Sequence, residues 1–153
     1  MADRHPALSR LDILVGRWTT QPEVPGVAPA QTEATWVENG AFLRQFTERD
    51  PIPDDVPDGW RGLAPFPTVT MIGLDDSAEE FTVIYADARG VYRVYQMTLV
   101  GREWTMSRRA PGMNQRFVGI ISEDGDRIDG RWEASEDGEA WNLDFQLTYT
   151  RQR

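Results

Sequence analysis

The stretch YADARGVYRVYQ, residues 85–96, decides how the rest of the chain is read. Its flanks alternate apolar and polar residues, and its centre is DARG (87–90), with aspartate first and glycine fourth. That order suits a type I turn closed by a glycine bulge, since glycine takes the left-handed conformation without steric penalty. The turn sets Asp87 opposite Val91, which places Tyr85 opposite Arg93 and Val83 opposite Tyr95. Two tyrosines, an aspartate and an arginine then share one face of a hairpin.

Neighbouring turns extend this register outward. A two-residue Gly-Arg loop (101–102) pairs Leu99 with Trp104, Met97 with Met106 and Tyr95 with Arg108. A Pro-Gly turn (111–112) pairs Arg108 with Gln115 and Met106 with Phe117. The Asp-Gly of EDGD (123–126) pairs Ile121 with Ile128 and Phe117 with Trp132. That of EDGE (136–139) pairs Trp132 with Leu143, Ala134 with Trp141 and Ile128 with Leu147. Together these hairpins gather the large apolar residues on one face and leave Arg116 against Glu133 and Arg131 against Asp144 on the other. A slip of one residue inverts a strand, so their agreement points to one common inner face. The turn ENG (38–40) admits either parity; its bulged form puts Trp36, Phe42 and Phe46 inside and turns Arg44 inward.

Before these strands, PALSRLDIL (6–14) carries leucines at 8, 11 and 14, helical spacing with proline at the start. Turn signals then recur every ~10–15 residues, and the whole reads as an all-β fold of about ten strands. It is expected to be a single antiparallel up-and-down β-barrel domain over residues 1–153, with the short N-terminal helix near its closed end. Strand directions put the turns at 88–90, 111–112 and 137–138 at an open mouth, together with two long proline-bearing connections, 21–31 and 50–67. Trp60, in the second of these, is placed to cover the mouth.

Composition removes whole classes of chemistry. The chain has no lysine and no cysteine, which excludes Schiff-base catalysis, thiolate nucleophiles, disulfides and sulfur-ligated metals. A net charge of −9 repels nucleic acid. No stretch approaches the ~18 apolar residues of a membrane span, and the N-terminus lacks a signal-peptide core, so the cytoplasm is the expected compartment. The acidic turns EDGD and EDGE lack the ligand spacing of a calcium loop. With His5 the only histidine, a Ser–His–Asp triad is excluded, and no metal or cofactor is expected.

The inner polar residues are the candidate site. Tyr85, Asp87, Arg93 and Tyr95 point inward beneath the mouth, joined by Arg108 and Gln115, with Arg44 adding positive charge and Glu48 at the rim as a second acid. One aspartate cannot neutralise two arginines, and a guanidinium offers planar, bidentate donors to a carboxylate. The expected ligand is therefore small and mostly apolar, with an anionic or carbonyl end, its body lined by Met97, Met106, Phe117, Trp132 and Trp36. Two alternatives stand beside it. In one, Asp87 pairs with Arg93 in a purely structural network. In the other, the cavity belongs to a metal-independent cyclase, isomerase or hydratase, with Asp87 as base and Tyr85 or Tyr95 as acid; arginine neighbours lower a carboxylate pKa and so disfavour that base. Outside, Ile84, Tyr92, Val94, Val118 and Ile120 make an apolar patch suited to a homodimer.

The segment HPALSRLDILVGRWTT (5–20), a short helix leading into a strand with Gly16-x-Trp18, resembles the start of lipocalin-type (calycin) barrels, and the whole chain resembles bacterial proteins of lipocalin-like fold. It is also similar to nitrobindin-like haem barrels; their iron is held by a histidine on a late strand, and residues 127–151 contain none. Arg93-x-Tyr95 with Arg108 resembles the carboxylate clamp of intracellular fatty-acid-binding barrels. The resemblance implies a hollow barrel that carries a small molecule.

Overall fold

A computed structural model describes residues 4–48, 66–75, 77 and 80–153. The expectations for loop 50–65 and for Trp60 lie outside the described residues. After the helix Pro6–Leu14 come ten strands: β1 (Gly16–Pro22), β2 (Ala30–Val37), β3 (Phe42–Glu48), β4 (Thr68–Asp75), β5 (Glu80–Asp87), β6 (Tyr92–Val100), β7 (Glu103–Arg108), β8 (Asn114–Ile121), β9 (Arg127–Ser135) and β10 (Asn142–Arg151). Each pairs antiparallel with its chain neighbour, and β10 closes on β1 into a barrel. The all-β, up-and-down architecture is the one the turns dictate.

The helix is a 3-10 helix, and its leucine spacing explains why. Steps of three residues drift around an α-helix but stack in line at three residues per turn. Leu8, Leu11 and Leu14 are all buried in the core. His5 caps the start, its Nδ1 accepting from the Ala7 amide at 3.1 Å.

Arg151 fastens the base of the barrel. Its guanidinium donates to the carbonyls of Val15 (2.6 Å) and Ile13 (2.8 Å) at the helix end and to Gly125 (3.1 Å) in the β8–β9 turn, and it stacks 4.1 Å from the Trp18 ring. Gly16 sits at φ +128°, where a Cβ would come within 2.8 Å of that guanidinium. Trp18 donates from Nε1 to the Leu14 carbonyl at 2.9 Å. The Gly-x-Trp signature thus has a local cause: glycine admits the arginine, and tryptophan plugs the floor. Above it Trp104, Phe117, Ile121 and Ile128 pack solidly, the Phe117 ring lying over Gly119 and Gly130.

From β5 to β9 the registers follow the turns: Tyr85↔Arg93, Val83↔Tyr95, Leu99↔Trp104, Met106↔Phe117, Arg108↔Gln115, Phe117↔Trp132 and Ile121↔Ile128. The Asp87 amide donates to the Val91 carbonyl across the DARG turn, with Gly90 at φ +79°. One pair is missing: the β6–β7 ladder stops at Gln96↔Ser107, before Tyr95 can meet Arg108.

Two registers differ from expectation. The loop after β9 is organised by Asp137, whose Oδ1 accepts from Ser135 Oγ and from the amides of Glu139 and Ala140. This sets Ala134 opposite Asn142, and an irregularity between Leu143 and Phe145 brings Phe145 opposite Trp132 and Tyr149 opposite Ile128. Leu143 is therefore exposed, Arg131 faces Gln146 instead of Asp144, and Trp141 lies outside beneath the Arg116 guanidinium at 4.2 Å. Arg116 does pair with Glu133, at 3.0 Å.

At ENG the inner residue of β3 is Leu43, fully buried opposite Ile72 and on the same face as Trp36. Phe42, Arg44, Phe46 and Glu48 consequently face outward, correcting the expectation that Phe42, Phe46 and Arg44 point in and that Glu48 serves the cluster. Phe42 lies over Gly73, and Arg44 stacks 4.9 Å from the Phe46 ring.

Candidate functional site

The mouth half of the inner face is polar. Side by side around the wall stand a hydroxyl ladder, Thr20 to Thr32 (2.7 Å) to Thr47 (2.8 Å), then Thr68, which neighbours both Thr47 and Asp87. Tyr85, Asp87, Arg93, Tyr95, Arg108 and Gln115 complete the ring on β5 to β8, in the expected registers except that Tyr95 and Arg108 do not pair. Gln115 is buried and its Oε1 accepts twice, from Tyr95 Oη at 2.8 Å and from Arg93 Nη1 at 3.1 Å. Burial pushes the Tyr95 phenol up, with Arg93 and Arg108 pulling the other way.

Asp87 is held by a residue the sequence reading missed. Arg89, in the turn itself, donates to the carboxylate from Nη2 (2.7 Å), Nε (3.2 Å) and its backbone amide (2.9 Å), while Tyr85 Oη adds a fourth bond at 2.8 Å. The Asp87–Arg93 pair of the purely structural alternative is not formed. Burial works against ionisation, but these donors outweigh it and bring the Asp87 pKa down to about 2. The Tyr85 phenol is raised, first by burial and then by its bond to that carboxylate. The signal for Arg89 was present: an Asp-x-Arg inside a tight turn places the guanidinium back over the carboxylate two residues earlier.

Among the described residues, neither Arg93 nor Arg108 has a carboxylate partner, and the buried Nε of Arg108 has no acceptor at all. The cluster therefore carries surplus positive charge in a half-buried setting. Its aromatic side is continuous: Tyr85, Tyr95, Trp132, Phe117, Trp104 and Tyr149 contact one another in sequence, with ring centroids 4.9–6.5 Å apart. Trp132 and Phe145 keep partial exposure on the inner face, whereas Met97, Met106 and Phe117 are buried as the floor beneath them.

Trp36 is not part of this group. It faces inward at the base, where its Nε1 donates to Asp12 at 3.0 Å and Arg4 stacks on its ring at 4.5 Å. Asp124 and Asp137 of the acidic turns spend their carboxylates on local donors. No helix among the described residues is long and apolar enough to cross a membrane. On the exterior, Ile84 opposes Val94, and both are exposed beside Tyr92, as are Val118 and Ile120. Tyr92 and Val94 also border a cleft between β6 and β7.

No protein-family model matches this chain, and no curated protein matches it. Among solved structures it is similar to Rv2717c from M. tuberculosis, with a TM-score of 0.58 and 18% identity, over 99% of this chain and 100% of that one. At that identity the likeness shows the fold alone, a closed ten-stranded antiparallel barrel.

Proposed function

We propose that the protein binds a small, mostly apolar ligand with an anionic or carbonyl end in the mouth half of its barrel, in the manner of lipocalin-like carriers. The observation that carries this reading is the surplus charge. Because Arg89 satisfies Asp87, Arg93 and Arg108 are left with neutral partners or none. Leaving a half-buried cation without a counter-charge is costly, and an incoming carboxylate would accept from both guanidiniums and from Tyr95. Gln115 Oε1 already collects the Arg93 and Tyr95 donors as one oxygen of such a group would. Tyr85, Trp132 and Phe145 would flank the apolar body, above Met97, Met106 and Phe117. The enzyme reading is weaker, since a carboxylate with a pKa near 2 is a poor base at neutral pH.

Titration with anilinonaphthalene sulfonate (ANS), an aromatic anion, and with phenylnaphthylamine, which shares its ring body but lacks the sulfonate, separates charge from greasiness. Arg93→Leu and Arg108→Leu should each weaken ANS by about ten- to hundredfold, the worth of a hydrogen bond to a charged group, with little effect on the neutral dye. Native mass spectrometry of protein purified from its own host would show the bound molecule directly. If Arg93→Leu raises stability and leaves every dye response unchanged, the cluster is structural and the proposal fails.

A further inference from the structure

At the mouth end of the wall, β6 and β7 are not paired along their whole length. β6 pairs with β5 along its length, from Ala86↔Tyr92 to Phe81↔Met97, but on its other side it meets β7 only from Gln96↔Ser107 to Val100↔Glu103. β7 meanwhile continues to Arg108, which pairs with Gln115 of β8. The two strands therefore part, and among the described residues Tyr92 to Tyr95 have no strand neighbour on that side. A cleft of about 610 Å³ occupies the opening, lined by Tyr92, Val94, Gln96, Ser107, Arg108 and Arg109.

Strand alternation assigns Tyr92, Val94, Gln96 and Ser107 to the outer face, and Arg109 follows directly after the end of β7. Arg108 is the exception, since its pairing with Gln115 places it on the inner face beside Arg93 and Tyr95. The same residue thus lines the outer cleft and stands beside the inner cluster, and its Nε is buried without an acceptor. The lining holds two arginines and no carboxylate, within a chain of net charge −9. On an acidic protein, a recess with only cationic charge is where field lines draw in an anion. The exposed ring of Tyr92 and the side chain of Val94 supply apolar surface for its body.

We infer that this breach between β6 and β7 is the door through which an anionic ligand reaches the lumen, passing from Arg109 outside to Arg108 at the wall and Arg93 within. The inference rests on the ligand-binding reading above and adds the route and the residues that select charge along it. Arg109 acts on the approach, so its contribution is to rate and depends on salt.

Continuing the ladder past Gln96↔Ser107 would set Val94 opposite Arg109. The chain has no cysteine, so Val94→Cys with Arg109→Cys introduces the only two thiols, which can be joined by oxidation or by a short bis-maleimide and verified by intact mass. Stopped-flow ANS binding is then compared between bridged and unbridged protein. Closing the breach should slow association by about tenfold or more, as for binding that must await an opening, and reduction of the disulfide should restore it. Arg109→Glu should slow ANS several-fold at low salt, an effect that shrinks as salt rises, and leave phenylnaphthylamine unchanged. Equal rates with a confirmed bridge overturn the door while leaving the lumen site standing. Failure of the native protein to bind ANS overturns both.

Discussion

Replacing Arg89 by alanine tests the electrostatic arrangement of the mouth most directly. Four donors hold the Asp87 carboxylate, two of them from the Arg89 side chain. Their combined effect, net of burial, brings the pKa from 3.8 to about 2. At roughly 1.4 kcal/mol per pH unit this corresponds to about 2.5 kcal/mol of stability at neutral pH. The Arg89 side chain is 39% exposed, so water screens its share. Tyr85 and the backbone amide persist in the variant, which leaves about 1 kcal/mol for the guanidinium. The folded pKa lies below the unfolded one, so the contribution is complete above about pH 4 and is lost as pH falls toward about 2. Urea denaturation followed by tryptophan fluorescence, from neutral pH to about pH 2.5, should show the Arg89→Ala deficit narrowing as acid is added. A deficit that is absent at neutral pH, or undiminished in acid, refutes the assignment. The same variant frees Asp87 to compete for Arg93, so ANS should bind more weakly; tighter binding would contradict the idea that Arg89 keeps the aspartate occupied.

Other substitutions probe the frame that holds the site. In Gly130→Ala the new methyl would lie 2.6 Å from Phe117 Cε2 and 3.2 Å from Leu147 Cδ2, and such overpacking should lower stability by about 1–3 kcal/mol in thermal or urea unfolding; an alanine accepted without loss would mean that the Phe117 ring is not there. Arg151→Met keeps the stem over Trp18 but removes the bonds to the helix carbonyls, with an expected loss of about 2–3 kcal/mol and faster amide exchange in Pro6–Leu14 than in the strands. Thr32→Val removes the central hydroxyl of the Thr20–Thr32–Thr47 ladder at constant shape, leaving two buried hydroxyls short of a partner for about 1–2 kcal/mol, seen as a lower urea midpoint at unchanged slope.

The polar cluster could be read from sequence because tight turns convert composition into parity. DARG, Gly-Arg, Pro-Gly and the first Asp-Gly each admit one short closure, and the registers from β5 to β9 follow. EDGE looked the same and was not, since Asp137 collects three local donors and widens the loop, and a later irregularity restores the inner face for Phe145, Leu147 and Tyr149. Gly73, opposite Phe42, was an available sign that this phenylalanine lies outside over a bare backbone.

By itself, the sequence determined the strand number, the up-and-down order, the inward face of Tyr85, Arg93, Tyr95 and Arg108, and the absence of thiol and lysine chemistry. These depend on local backbone geometry and on which side chains exist at all. Only the tertiary structure decided that Leu43 rather than Arg44 faces the core, that Arg89 rather than Arg93 holds Asp87, and where β6 and β7 part. Each of those outcomes is a competition between neighbours that are distant in sequence or equally close in it. Packing volume and donor geometry settle such competitions, and neither is defined until the barrel has closed.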